Sequence, residues 1–379
     1  METELNADIR ALARQLARPG YGILASDESN NTIGKRLEKH GIENTLENRR
    51  KYRSLFYSAD LGSNGISGAI LFPEALDLCT DEGISFVDAL KRQNVLVGVK
   101  VDQGLAPVQN SEFFAEAPGD GPLAGETHTK GLETLECRCK EYRHKGAVFA
   151  KWRAAIPIVK VDDLEYDVSE KNVYVNCKEL ARYAKICQTT GLVPIVEPEI
   201  LIDGAHPMDA SFKCTEKVLK ECIYHLWKEG VDLEAVLLKP QMIVPGIDCQ
   251  DPRPQPQEIA AMTIRVLRQI VPPSIPGIMF LSGGQTEVQA TVNLNMLNVF
   301  SRCSEYNKAP WSLSFSYGRG LQASVLYTWS KGGDVETCRK LAEQIAKVNG
   351  LATRGAFFMS HPSILPSDGA LQENFRGHY

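Results

Sequence analysis

The chain has 379 residues, 43% of them hydrophobic and 23% charged, enough to bury a large core without disulfide or metal staples. Its 42 basic and 47 acidic side chains leave a formal charge of −5, with no basic run, so neither nucleic acid nor a membrane surface is indicated as a partner. An anionic ligand would have to be gripped by local cations, because the field of the whole molecule does not attract it.

Residues 1–20 (METELNADIRALARQLARPG) predict an amphipathic helix with Ile9, Leu12 and Leu16 on one side. This segment lacks the apolar stretch of a secretory signal, and no run approaches the roughly 18 apolar residues of a spanning helix. The ten cysteines are scattered, with only Cys137 and Cys139 close, so reduced thiols and a cytoplasmic location are expected.

Short apolar, β-branched runs then recur along the chain. They predict strands at Gly22–Ser26, Ile66–Phe72, Val95–Val101, Ala147–Arg153, Val193–Glu197, Ala235–Lys239, Gly277–Ser282 and Ser312–Tyr317. Helical periodicity fills intervals between them, as at Glu179–Cys187, Glu216–Trp227, Pro256–Ile270 and Thr286–Asn298. Alternating strand and helix at this length predict a single-domain (β/α)₈ TIM barrel over 1–379. From about residue 351 to 379 periodicity fades, which predicts a tail lying over the surface.

Polar residues gather where these strands end. Asp27 closes the first, Lys100 and Asp102 the third, Lys151 and Arg153 the fourth, Glu197 and Glu199 the fifth, and Lys239 the sixth. Ser282, Gly283 and Gly284 close the seventh; Ser316, Gly318 and Arg319 close the eighth. A single charge in such a place is as well explained by a structural ion pair. A whole set at converging strand ends predicts an active site. A desolvated lysine among cations is activated toward carbonyls, and a neighbouring carboxylate can move protons during imine formation. A salt-bridge lattice lining the barrel is the bland alternative. The glycines and hydroxyls after the last two strands, with Arg319, suit a phosphate. Ser29, Thr32, Lys35, Arg36 and Lys100 form a second basic group, which predicts a substrate phosphorylated at both ends.

The segments GILASDES, ENRRKYR, GVKVDQG, FAKWR, VPIVEPEIL, LLKPQM, PGIMFLSGGQ and WSLSFSYGR together resemble class I fructose-1,6-bisphosphate aldolases over nearly the full chain. The resemblance implies a metal-independent lyase without a cofactor, acting on a phosphorylated sugar in glycolysis and gluconeogenesis, and usually a homotetramer. It implies Lys239 as the Schiff-base lysine, Glu197 as general acid/base with Glu199 beside it, and Lys151 as a second catalytic lysine. Asp27 would assist carbon–carbon cleavage, and Arg153 would bind substrate. Ser282, Gly283, Gly284, Ser316, Gly318 and Arg319 match one phosphate site; Ser29, Arg36 and Lys100 match positions near the other. Tyr379, the last residue, matches a C-terminal tyrosine that reaches the active site and aids proton exchange.

The sequence also departs from the family. Ser26 replaces an alanine, Asn30-Asn31 a Thr-Gly pair, and Gln103 the common lysine of VDKG; the loop Gln109–Gly121 is longer than usual and the tail is divergent. Two rival functions remain. A zinc aldolase would need histidine ligands, yet none of the seven histidines falls at a predicted strand end. A catalytically silent binding paralogue would be expected to have lost a catalytic position, and none is lost.

Overall fold

The computed structural model describes residues 2–120, 125–162, 165–303 and 307–366. Eight parallel strands close into a barrel: β1 (Gly22–Ser26), β2 (Ile66–Leu71), β3 (Leu96–Lys100), β4 (Phe149–Ile156), β5 (Val193–Ile200), β6 (Leu237–Leu238), β7 (Gly277–Phe280) and β8 (Ser312–Tyr317). Each pairs with its neighbour in sequence, and β1 meets β8 through Ile23 opposite Ser316 and Leu24 opposite Tyr317. Their near-continuous burial is that of strands covered on both faces.

The predicted helix at 1–20 is shorter, running Glu2–Leu16 (α1). It ends because Pro19 and Gly20, the latter at φ +92°, turn the chain into β1. Ile9, Ala13 and Leu16 are buried against Ile23, Ile70, Phe149, Ile195, Leu237 and Met279. This helix therefore plugs the end of the barrel where the strands begin and leaves the opposite end open.

Around the barrel lie α2 (Asn30–Lys39), α3 (Leu46–Tyr57), α4 (Phe86–Arg92), α5 (Leu135–His144), α6 (Glu170–Thr189) and α7 (Met208–Lys228), followed by α8 (Pro256–Ile270), α9 (Glu287–Phe300), α10 (Arg319–Ser330) and α11 (Val335–Ala352). Caps define several starts. Ser29 accepts from the Thr32 N–H at α2, Ser169 from the Asn172 N–H at α6, and Asp334 from the Thr337 N–H at α11.

Helix α11 continues two residues into the predicted tail and stops at Thr353. Beyond it the chain lies over neighbouring helices. His361 Nε2 is 3.0 Å from Thr291 Oγ1, and the Ser363 hydroxyl donates to Glu287 at 2.6 Å. Two strands run further than predicted, β4 to Ile156 and β5 to Ile200; β6 pairs over only two residues because a 3₁₀ turn at Leu233–Ala235 takes its expected start.

Candidate active site

At the open end of the barrel a cleft of about 620 Å³ is lined from β1 and β3 to β8. Asp27, Ser29, Arg36, Lys100, Lys151, Arg153, Glu197, Glu199, Lys239, Ser282, Gly283, Ser316, Gly318 and Arg319 all line it. Residues up to 292 positions apart in sequence, from Asp27 to Arg319, are thus brought together by closure of the barrel.

The centre of the cleft is a chain of alternating charges. Lys239 follows β6, its N–H bonded to Val196 O, so its side chain emerges beside β5. There Lys239 Nζ lies 3.0 Å from Glu197 Oε1. The other oxygen, Glu197 Oε2, lies 2.9 Å from Lys151 Nζ, which itself lies 3.1 Å from Asp27 Oδ2. All four side chains are at least nine-tenths withdrawn from solvent as residues: Lys239 4% exposed, Glu197 3%, Lys151 5% and Asp27 8%. The spacing of two along β4 puts Arg153 on the same face as Lys151, where it pairs with Glu199.

These contacts shift protonation. Burial opposes the Asp27 carboxylate, but Lys151, Lys239 and Lys100 outweigh it and hold the carboxyl below its ordinary range. Burial likewise opposes the Lys151 ammonium, and Asp27 with Glu197 overrides it, raising the amine well above its ordinary value. Lys151 is locked as a cation. It can stabilise negative charge and cannot readily serve as a nucleophile.

The turn after β7 and the start of α10 form one rim. Gly284 has φ +71°, and a Cβ there would fall 2.0 Å from Ile202 Cδ1, so a side chain at this position would be strained and would displace the end of Ile202. Gly284 shapes the turn without itself lining the cleft. Gly318 caps the N-terminus of α10, where a Cβ would meet Ala25 O at 3.2 Å. Among the described residues, buried Ser316 Oγ finds no hydrogen-bond partner. Backbone N–H groups at a helix start, an unsatisfied hydroxyl and Arg319 suit a phosphate dianion.

The opposite rim differs from expectation. Ser29 lines the cleft, but its hydroxyl caps α2. Arg36 Nη1 lies 2.6 Å from Glu28 Oε1, Lys100 is paired with Asp102, and Lys35 points to solvent outside the lining. The Ser26 hydroxyl does not face the cleft: it bonds Tyr57 OH at 2.6 Å and Ile70 O at 3.0 Å. Asn31 does line the cleft, whereas Asn30 reaches Glu74.

Glu28, Gln103, Lys130 and Arg138 also line the cleft and were not singled out as site residues. Lys130 arrives on an antiparallel ribbon, Leu105–Pro107 against Thr127–Thr129, whose pairing no local pattern announces. The loop that leaves this ribbon packs on α6, with Phe114 and Phe113 beneath the ammonium groups of Lys171 and Lys178 and the Ser111 hydroxyl donating to Glu179 at 2.6 Å. Tyr379 lies outside the described residues, as does Gly121. Among the described residues no group of three or more His, Cys, Asp or Glu side chains is arranged to hold a metal ion.

Comparison with known proteins gives this geometry a family. The model of class-I fructose-bisphosphate aldolase matches residues 8–375. A fructose-bisphosphate aldolase of Dictyostelium discoideum is 44% identical over 359 residues, covering 94% of each chain; one of Drosophila melanogaster is 42% identical, covering 93% of this chain and 92% of its own. Among solved structures, fructose-bisphosphate aldolase from Plasmodium falciparum, in a ternary complex with TRAP and a small-molecule inhibitor, superposes with a TM-score of 0.83 at 42% identity, covering 94% of this chain and 97% of that one. A TIM barrel with two lysines sharing one buried glutamate at its open end, matched at this identity along almost its whole length, belongs to the class-I fructose-bisphosphate aldolase family.

Proposed function

We propose that the chain cleaves fructose 1,6-bisphosphate reversibly to dihydroxyacetone phosphate and glyceraldehyde 3-phosphate through an imine on Lys239. The observation that carries this reading is the unequal treatment of the two lysines. Lys151 is clamped between Asp27 and Glu197, whereas Lys239 touches one carboxylate, Glu197, at 3.0 Å.

Glu197 takes a proton from the Lys239 ammonium, freeing the amine to attack the C2 ketone. It then returns a proton to the carbinolamine hydroxyl, which leaves as water. Asp27, facing the same space, accepts the C4 hydroxyl proton as the C3–C4 bond breaks. The bonding electrons flow into the iminium, giving an enamine, and the aldehyde product departs. Protonation at C3 and hydrolysis of the imine release dihydroxyacetone phosphate and restore Lys239. The Lys151 cation stabilises oxyanion charge during these steps. Ser282, Gly283, Ser316, Gly318 and Arg319 bind the phosphate of the ketone half, in the turn that Gly284 shapes. Arg153, oriented by Glu199, positions the substrate, while Ser29, Arg36 and Lys100 border the other phosphate. Tyr379 assists proton exchange on the enamine, on a tail that reaches the cleft; this role, like the extent of the single domain, rests on the resemblance. No metal or cofactor takes part. The same reading gives a homotetramer in the cytoplasm, although relatives of the family include a chloroplastic aldolase of Chlamydomonas reinhardtii.

Borohydride reduction in the presence of dihydroxyacetone phosphate, followed by peptide mass spectrometry, tests the central step. A reduced adduct on the peptide containing Lys239 is expected, and Lys239→Ala should abolish both adduct and cleavage. An adduct on Lys151 instead, or full turnover by Lys239→Ala, would overturn the mechanism.

A further inference from the structure

A substrate charged at both ends needs cations at both rims of the cleft, and at the rim formed by β1 and β3 five of the cations that line it are already engaged. Arg36 is bound to Glu28, Lys100 to Asp102 and Arg153 to Glu199. Lys151 is held between Asp27 and Glu197. Arg138 turns its guanidinium to the carbonyls of Val101 and Gly131. A phosphate arriving there would have to displace a carboxylate or a carbonyl from its cation, unless another cation stood by.

Lys130 is such a cation. It lines the same cleft, its side chain is exposed, and among the described residues it makes no ion pair. Its backbone is fixed even though its ammonium is not engaged: Lys130 N–H donates to Gly104 O at 2.9 Å, and Lys130 O accepts from Gln103 N–H at 2.9 Å. The ribbon is tied to the barrel beneath it, because Thr129 Oγ1 donates to Arg153 O at 2.7 Å and Thr129 N–H donates to the buried carboxylate of Glu179. A flexible point charge on a fixed base is well suited to an incoming dianion. Gln103, its partner in this ladder, is the position where the family commonly carries lysine. A positive charge missing from one side of the rung is thus present on the other.

We propose that Lys130 binds the substrate phosphate remote from the imine carbon and so sets selectivity for bisphosphorylated over monophosphorylated ketoses. This rests on the aldolase reading above and adds to it a residue on which the phosphate at that rim depends. The test compares steady-state kinetics of wild type and Lys130→Gln on fructose 1,6-bisphosphate and on fructose 1-phosphate, which lacks that phosphate. The variant should raise KM for the bisphosphate about tenfold while kcat stays within about twofold, as expected for loss of one charge-assisted contact made equally in ground and transition states. KM for fructose 1-phosphate should not move, and Gln103→Lys added to the variant should restore the bisphosphate KM. An unchanged bisphosphate KM, or an equal shift for both substrates, would overturn the proposal. Equilibrium binding of the unreactive hexitol 1,6-bisphosphate supplies a readout without turnover. If wild type cleaves neither sugar, the aldolase reading fails by itself; weaker hexitol binding by Lys130→Gln would still support the phosphate contact, and undiminished binding would refute it.

Discussion

Lys151 and Lys239 are primary amines reaching the same carboxylate, yet their surroundings give them opposite work. With its amine raised by Asp27 and Glu197, Lys151 stays charged, and Asp27, depressed by the lysines around it, stays charged too. The depressed Asp27 contributes stability that is complete above its ordinary value of 3.8 and is lost as pH falls through its lower folded value. The raised Lys151 contributes stability that is complete below 10.5 and is lost only as pH climbs through its higher folded value. Between those limits the pair is insensitive to pH. Asp27→Asn should therefore destabilise the protein by about 3 kcal/mol, and by the same amount at every pH from about 5 to 9. Thermal melts of both proteins across that range check this, and a difference that drifts with pH would show that the pair titrates. Gly284→Ala should cost at least about 2 kcal/mol, because the alanine backbone must hold a positive φ and its methyl group must displace the end of Ile202. The same melts, with phosphate added as a stabilising ligand, should show a weaker response in this variant.

At the scale of elements, the clearest sequence signals were strands whose two faces are buried and helices with explicit ends. The strands Gly22–Ser26 and Ser312–Tyr317 and the helix Pro256–Ile270 could be read to the residue, the last because Pro256 opens it and Glu258 completes a capping box. The helix predicted at Glu179–Cys187 proved to run Glu170–Thr189, since it starts at a serine cap and its first turns carry a Val-Tyr-Val run of low helix propensity at 173–175. Most of the cleft was legible because lysines and glutamates at strand ends contradict their apolar context. Lys130 and Arg138 were not, because a short ribbon and a surface helix carry charges as a matter of course. A surface tail was expected, but the contacts that dock it were equally hidden. Nothing local says that His361 Nδ1 will accept the Ser363 N–H at 2.9 Å or that burial will push the ring down to about 4. A histidine lowered from 6.5 favours the folded state in its neutral form, a contribution complete above 6.5 and lost as pH falls toward 4. Protonation would also break its bond to Ser363. Amide exchange of residues 357–366, corrected for intrinsic rates, should be faster at pH 5 than at pH 7, and His361→Gln should erase that difference. Equal protection at both pH values would mean that the ring's charge does not control docking.

For the molecule as a whole, light scattering should return a mass near four times 41.9 kDa if the proposed tetramer forms, and a chelator should leave turnover unchanged. Tyr379→Phe should leave slowed but measurable cleavage, with the loss confined to steps after the aldehyde leaves. The barrel itself closes only where Ile23 meets Ser316 and Leu24 meets Tyr317. That seam has a consequence for biosynthesis. A ribosome delivers the chain from its first strand onward, yet β1 finds its second neighbour only when residues near 316 have left the exit tunnel. At about 5–20 residues per second, a nascent chain spends many seconds with two bare strand edges, each a template for pairing with another chain. Until β8 arrives, the growing sheet therefore keeps the edge-pairing hazard that closure of the barrel removes.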